Sequence, residues 1–371
     1  MGQKSKLTRE GQRLQRQVRS GVRVLQTALM RPLWPVLARR MVRVRPGRQP
    51  RTDRIALVLI YQPGGLPASL SETFDALTRH GYALFFVVNG ALPEPDLAAL
   101  QARGIAVMTR PNIGYDFGGY RDGIAHLRGS GPLPAQLLVM NDTLWLPAMD
   151  GPDTLAAFDA LDAPYAALCN FPYRPGRGRN PALSGQTYAA SFLFRVSREV
   201  LDSAAFARFW AGYPLSAAKA QVLERGEVGF SKAMSDAGFP PHCLLDHNAI
   251  AARIPALPRP ELEDFLRRLP VLNARLRPAH GGLMQQLAAG TADDSDLRAF
   301  ARTLVAALNP WDSHAYYGLF RGDVNFIKKA NLKHRANARR LLDMAAADGL
   351  ALRPCVRDEL GAIAARAEPG G

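Results

Sequence analysis

Residues Arg110–Pro147 read RPNIGYDFGGYRDGIAHLRGSGPLPAQLLVMNDTLWLP. Two polar clusters stand out, Asn112-Ile-Gly-Tyr-Asp116 and Asn141-Asp142-Thr143, and each follows an apolar run, Gly104–Met108 and Gln136–Met140. Short apolar runs bounded by turn residues have the composition of parallel strands buried on both faces. In an open α/β sheet the ligand lies beyond the carboxyl ends of such strands. Asn112, Asp116, Asn141 and Asp142 are therefore expected to line one crevice.

Working outward, Ile55–Tyr61 and Tyr82–Val88 are further strand-like runs, and Ser69–His80 and Pro93–Arg103 carry helical periodicity. The order β-α-β-α-β with short joints predicts right-handed crossovers and a parallel sheet. Phe117–Leu127 continues as helix. Further on, Leu155–Leu161, Arg198–Tyr213 and Ala217–Ala237 read as helices, and Tyr165–Cys169, Tyr188–Val196 and His242–Leu245 as strands. Phe171–Ser184 is a Pro/Gly/Arg-rich loop. Beyond residue 251 the pattern is mostly helical, broken by an aromatic, turn-rich stretch at Asn309–Leu332. The expected organisation is a basic leader and linker (1–54), an α/β nucleotide-binding domain (55–250) and a mostly helical C-terminal region (251–371).

Charge is concentrated at one end. Residues 1–54 hold fifteen Lys/Arg against Glu10 and Asp53, so +13 of the net +15 belongs to the leader. The body carries an ordinary surface, and the basic balance does not argue for nucleic acid. Within the leader, Val22–Val44 places Leu25, Leu29, Leu33, Trp34, Leu37 and Met41 at helical spacing among arginines, interrupted by Pro32 and Pro35. That pattern suits an interfacial segment, with Trp and Leu at the acyl boundary and Arg on anionic lipid; it also suits an amphipathic helix packed on the body or a disordered basic tail. Pro46–Pro50 reads as a linker. No apolar run reaches the length of a membrane span. Cys169, Cys243 and Cys355 are scattered, without zinc-ligand spacing.

The chemistry follows from residue type and place. Asp142, at the exit of a buried strand, can hold a divalent metal that bridges a diphosphate; Asn-Asp-Thr is equally a common turn. In the run from Asn112 to Asp122, Gly114 and the Gly118-Gly119 pair permit close backbone approach. Asn112 and Asp116 can bind a base, a ribose or a sugar hydroxyl, or cap a helix. Arg121 can face a phosphate. The glycines match neither a dinucleotide fingerprint nor a P-loop. Glu227, beside glycines in a mostly apolar helix, can take a proton from an acceptor hydroxyl; it equally suits a solvated helical position. Arg174, Arg177 and Arg179 can form a phosphate clamp; His242, Asp246 and His247 flank the last strand and suit a structural role. No nucleophile elbow exists for a hydrolase.

Taken together, the chain resembles the rhamnan synthesis protein F family. The matching segments are Asn112–Asp116, the strand ending Asn141–Thr143, Ser191-Phe-Leu-Phe with Arg198-Glu-Val-Leu and Phe209-Trp210, Glu227-Val-Gly with Gly238-Phe239, and Asn309-Pro310 with Ile327-Lys328-Lys329. The resemblance implies a Rossmann-like, GT-A type glycosyltransferase domain with a mixed, mainly parallel sheet. It implies transfer of rhamnose or a related hexose from a dTDP-rhamnose-like donor to a glycan or lipid-linked acceptor, in surface polysaccharide or lipopolysaccharide synthesis. The donor site would then hold Asn112, Gly114, Asp116, Arg121 and Asn141, with Asp142 holding Mg2+ or Mn2+. Ser191 and Glu227 would stand on the acceptor side, with Glu227 as base of an inverting reaction at the inner face of the cell membrane. Tyr115 replaces the Arg common in the family, and a single Asp142 stands where many relatives of the GT-A type have Asp-x-Asp. The alternatives are a nucleotidyltransferase acting on sugar phosphates, or a non-catalytic recruitment protein held at the membrane by its leader.

Overall fold

Arg54–Ile60 (β2) forms the centre of the sheet because every side chain from Ile55 to Ile60 is apolar, and all six are fully buried. Alternate residues serve opposite faces. Ala56, Val58 and Ile60 enter one apolar core, and Ile55, Leu57 and Leu59 the other. Burying each of the larger side chains stabilises the fold by roughly 1.5–3 kcal/mol. The computed structural model describes residues 33–34, 36–174, 180–216, 218–269, 275–311, 314–332 and 335–366.

Around β2, Ala83–Asn89 (β3), Ala106–Arg110 (β4) and Gln136–Asn141 (β5) run parallel to it. Tyr165–Pro172 (β7) and His242–Leu245 (β10) point the same way, joined to β5 through the antiparallel Leu193–Ser197 (β9). Among the described residues the sheet has nine strands, in the order β1 (Arg43–Pro46), β4, β3, β2, β5, β9, β7, β10, with Thr187–Ala189 (β8) on β7. The protein is thus α/β; the parallel strands follow the sequence pattern, and β9 makes the sheet mixed, as the family resemblance implies.

Several elements differ from the sequence expectation. Arg43–Pro46, which joins the end of the expected interfacial segment to the first residue of the expected linker, is an edge strand (β1), antiparallel to β4, and Gly47, Arg48 and Gln49 continue its hydrogen bonds onto the 101–105 backbone. Pro46 is tolerated there because an edge strand needs no donor on its outer side. The expected strand Tyr188–Val196 is two strands separated by a short break. The expected helix Arg198–Tyr213 is two, because Ser203 turns extended and caps Ala204–Gly212 through Phe206 N–H.

The C-terminal helices are packed onto the same body. Leu262, Phe265 and Leu266 of the Arg259–Arg268 helix join the core on one sheet face. A smaller cluster of Trp145, Leu319, Ile327, Leu341 and Leu360 seats the Arg335–Ala347 and Pro354–Ala365 helices on a two-stranded ribbon. That ribbon pairs Leu144–Trp145 (β6) with Ile327–Lys328 (β11). No described helix is long and apolar enough to cross a membrane.

Candidate functional site

The end of β5 forms the floor. Asn141 and Asp142 are buried, and Asn141 donates to Asp116 Oδ2 at 2.8 Å. Asp142 Oδ2 accepts from Tyr61 N–H at 2.7 Å and from Gln62 Nε2 at 2.8 Å, so two strand ends share its carboxylate. Burial pushes the Asp142 carboxyl up, and those two donors partly offset it. Burial likewise raises Asp116, opposed by Asn141 and Lys328 and reinforced by the Asp142 charge. The two aspartates therefore stand in one another's field.

The Asn112–Asp116 loop is held in an uncommon shape. Gly114 (φ 81°) and Tyr115 (φ 51°) are both left-handed, and a side chain at Tyr115 costs about 1–2 kcal/mol there. The compensation is a buried network on Arg110, whose side chain is fully enclosed. Its Nε meets Asp122 at 2.8 Å, Nη1 donates to Asn89 Oδ1 at 2.6 Å, and Nη2 to the Ile113 carbonyl at 2.9 Å. Asn89 in turn donates to the Tyr115 carbonyl at 3.1 Å. Thus the loop's own carbonyls are its fixing points, and Asp116 enters the first turn of the Tyr115–Gly129 helix, where the helix dipole favours a negative charge. The glycines of this helix approach the protein: a Cβ on Gly118 would stand 2.1 Å from the Ile113 carbonyl oxygen, and one on Gly119 2.0 Å from Leu59 Cδ1.

Across the crevice, the expected helix Ala217–Ala237 is a composite. Lys219–Val222 runs into a π-helical turn at Leu223–Val228, then into Gly229–Asp236. Such turns re-aim side chains at functional sites. Glu227 lies in the π turn, and Ser191 Oγ donates to its Oε1 at 2.8 Å. Tyr120 from the opposing helix donates to the Ser191 carbonyl at 3.0 Å. Gly226 is needed for this approach, since a Cβ there would lie 2.8 Å from the Phe117 ring. Burial raises the Glu227 carboxyl to about 7, with Ser191 and Lys328 pulling it down and Asp116 pushing it up.

Two consecutive lysines complete the site. The antiparallel β6–β11 ribbon sets Lys328 opposite Leu144, and Lys329 N–H donates to the Thr143 carbonyl at 2.9 Å. Lys328 donates to Thr143 Oγ1 and sits 4.2 Å from the Phe192 ring centroid. Burial lowers its ammonium to about 8, while Asp116, Glu227 and Asp142 all hold it up. Lys329 points elsewhere, to Ser69 Oγ (3.2 Å) and Glu359 Oε2 (3.4 Å).

Asp116, Asn141, Asp142, Ser191 and Glu227 are thus brought together. Asn112 is exposed, and Arg121 lies on the same helix as Asp116; among the described residues neither hydrogen-bonds to those five. Arg174 packs on Phe171 and bonds the Ala306 carbonyl, so it serves the fold; Arg177 and Arg179 lie outside the described residues. His247 is buried edge-to-face on Phe171, and Asp246 caps its helix through Ala249 N–H. The sequence placed a divalent metal on Asp142. Its Oδ2 is taken by two N–H donors, no three His, Cys, Asp or Glu side chains converge among the described residues, and the cations facing these carboxylates are Lys328 and Lys329. This donor set does not fit a divalent ion held by the protein's own side chains. Sequence reasoning gave no role to Lys328, Lys329, Glu359 or the Arg110 network. Lys328-Lys329 following an apolar stretch inside a turn-rich segment was the signal at hand.

The leader needs a correction. Trp34 does not face lipid: it is buried, its ring 5.5 Å from the Arg110 guanidinium carbon and its Nε1 3.4 Å from Asp122. The large hydrophobic residues left exposed, among those described, are Leu33, Val36, Met41 and Val44 in the leader, with Tyr61 and Tyr115 at the strand ends. Val22–Arg31 lies outside the described residues.

Comparison with known proteins agrees with the motifs. The uncharacterized protein y4gN of Sinorhizobium fredii is 31% identical over 198 residues, covering 52% of this chain and 49% of that protein. The chain therefore spans about half the length of that curated relative. Among solved structures, the mannosyltransferase Ktr4p from S. cerevisiae aligns at a TM-score of 0.25 and 9% identity, over 46% of this chain and 62% of that one. At that level the likeness carries no weight for fold or function. Residues 84–262, which run from within β3 through β10 and include Asp116, Asp142 and Glu227 but not Lys328, match the rhamnan synthesis protein F family (RgpF), the family that the chain's motifs resemble.

Proposed function

We propose that the protein is a GT-A type glycosyltransferase of surface polysaccharide or lipopolysaccharide synthesis, moving a hexose such as rhamnose from a nucleotide-sugar donor to a glycan or lipid-linked acceptor. One observation carries this: Glu227, bonded by Ser191, and Lys328, bonded to Thr143, stand in the field of Asp116 at the strand ends, with burial raising the acid to about 7 and lowering the ammonium to about 8. Glu227 has the basicity to take a proton from an acceptor hydroxyl near neutral pH. The freed oxygen attacks the anomeric carbon. The bond from that carbon to the diphosphate breaks, and its electron pair leaves with the phosphate. Lys328 faces the charge that develops there, which is the arrangement that lowers such a barrier. Attack opposite the leaving group inverts the anomeric centre. Asp116 and Asn141, bonded to each other, offer acceptor and donor atoms to sugar hydroxyls.

A lipid-linked acceptor also gives the leader a role. Leu33, Val36, Met41 and Val44 expose apolar surface beside Arg39, Arg40 and Arg43. That combination suits peripheral contact with an anionic membrane, on the cytoplasmic side where nucleotide sugars are made.

The test is a transfer assay with a panel of nucleotide sugars and a lipid-linked oligosaccharide acceptor, on wild type, Glu227→Gln and Asp116→Asn. Transfer by the wild type, lost in both variants with folding intact, supports the assignment. A wild-type protein that neither transfers from any donor nor is stabilised by one removes it.

A further inference from the structure

Thr143 stands where two distant parts of the chain meet. Just before it are Asn141 and Asp142 at the end of β5, and just after it β6 pairs with β11. The Ile327-Lys328-Lys329 segment lies outside residues 84–262, the span that matches the family, yet it grips Thr143 twice. Lys329 N–H donates to the Thr143 carbonyl at 2.9 Å, and the Lys328 ammonium donates to the Thr143 hydroxyl.

The hydroxyl in turn donates to Asn141 Oδ1, which also accepts from Thr143 N–H at 3.3 Å. Chemistry allows this chain only one sense. An ammonium donates and never accepts, so the hydroxyl oxygen accepts from Lys328 and gives its single proton to the next group. That group is the Asn141 carbonyl oxygen. The network thereby settles which way the Asn141 amide points, with its NH2 on Asp116, to which Nδ2 donates at 2.8 Å. Lys328, Thr143, Asn141 and Asp116 form one line of donors that begins on a cation and ends on a carboxylate. Each bond in such a line polarises the next, and the bonds at its charged ends are the stronger kind.

The other groups around Lys328 are less selective about where it sits. Asp116, Glu227, Asp142 and Cys169 act on it through their fields, and the Phe192 ring centroid lies 4.2 Å from its Nζ. Fields fall off gradually with distance, whereas a hydrogen bond fixes one direction and one length.

We infer that Thr143 is a positioning residue: its hydroxyl sets the place of the Lys328 ammonium and, through the Asn141 amide, the orientation of the Asp116 carboxylate. The role rests on the glycosyltransferase reading. It adds that a segment outside the family match completes the site through one hydroxyl. A bland alternative is that the hydroxyl only closes the turn after β5, and a serine would do that equally well.

The experiment is an NMR titration of the lysine ε-methylenes in the full chain, for wild type, Thr143→Ser and Thr143→Val, with the Lys328 signal identified by its loss in Lys328→Arg. Steady-state transfer and urea unfolding are measured on the same proteins. A hydroxyl that accepts from the ammonium favours its charged form. Thr143→Val should therefore lower the Lys328 midpoint by about one pH unit, and Thr143→Ser should keep it. In transfer, Thr143→Val should lower kcat about tenfold and move the falling limb of the rate profile to lower pH, with Thr143→Ser recovering most of the loss. A role confined to the turn would lower the urea midpoint of Thr143→Val but leave the Lys328 titration and the pH profile in place. That result overturns the inference and leaves the transfer reading standing. A shifted titration with unaltered kcat overturns the positioning role as well. A wild type that transfers from no donor, and is stabilised by none, removes the glycosyltransferase reading and this role with it.

Discussion

The ammonium of Lys328 donates to the hydroxyl of Thr143, 185 residues earlier in the chain. Through this contact a cation is held in the field of Asp116, Asp142 and Glu227, whose charges would otherwise be costly at the ends of buried strands. Lys328→Met should therefore lower kcat by about 10²–10³-fold, with Lys328→Arg recovering part of the loss, in a steady-state transfer assay. The same change removes a charge that holds Glu227 down, so the acidic limb of the rate profile should move to higher pH.

For the wild type, a bell-shaped dependence of kcat/KM on pH is expected. Activity rises as Glu227 loses its proton near 7 and falls as Lys328 loses its own near 8. Because the two groups interact, the apparent constants belong to the pair. Glu227→Gln should cost about 10²–10⁴-fold in rate and abolish the rising limb. A rising limb that persists in that variant would assign it to another group.

Gly119→Ala tests the packing of the Tyr115–Gly129 helix. The added Cβ would meet Leu59 Cδ1 at 2.0 Å, and overpacking of this kind costs about 1–3 kcal/mol. Gly129, at the end of the same helix, has no atom within 4 Å of such a Cβ, so Gly129→Ala serves as the neutral control. Urea unfolding midpoints should separate the two.

Arg110→Met would leave Asp122 and the Asn89 side chain without their partner in a nearly dry setting. The expected destabilisation is about 3–5 kcal/mol. Loosening of Ile113 and Tyr115, whose carbonyls depend on Arg110 and Asn89, should appear as faster amide exchange in that loop.

Leu33→Asp with Val36→Asp should reduce sedimentation with anionic vesicles while leaving the unfolding midpoint unchanged, because both side chains are exposed. Trp34→Ala should do the reverse in stability, since its ring is buried on Arg110 and Asp122. Vesicle binding equal to wild type in the double variant would remove the leader from any membrane contact.

By itself, the sequence determined the strands from Ile55 to Met140, the α/β class, and the placing of Asn112–Asp116 and Asn141–Asp142 at strand ends. These are local properties: apolar runs, turn residues and spacing along a continuous segment. It offered Glu227 as one reading only, since a glutamate beside Glu224 and Arg225 in a helix equally suits a solvated face. Tertiary structure alone decided that β9 enters antiparallel between β5 and β7, that a π turn aims Glu227 at Ser191, and that β1 closes the sheet edge. It likewise decided that Trp34 faces protein, and that Lys328, Lys329 and Glu359 reach the strand ends. These depend on register and packing between segments far apart in the chain. Which lysine meets which carboxylate follows from how β11 aligns on β6, and no spacing within either segment records that choice.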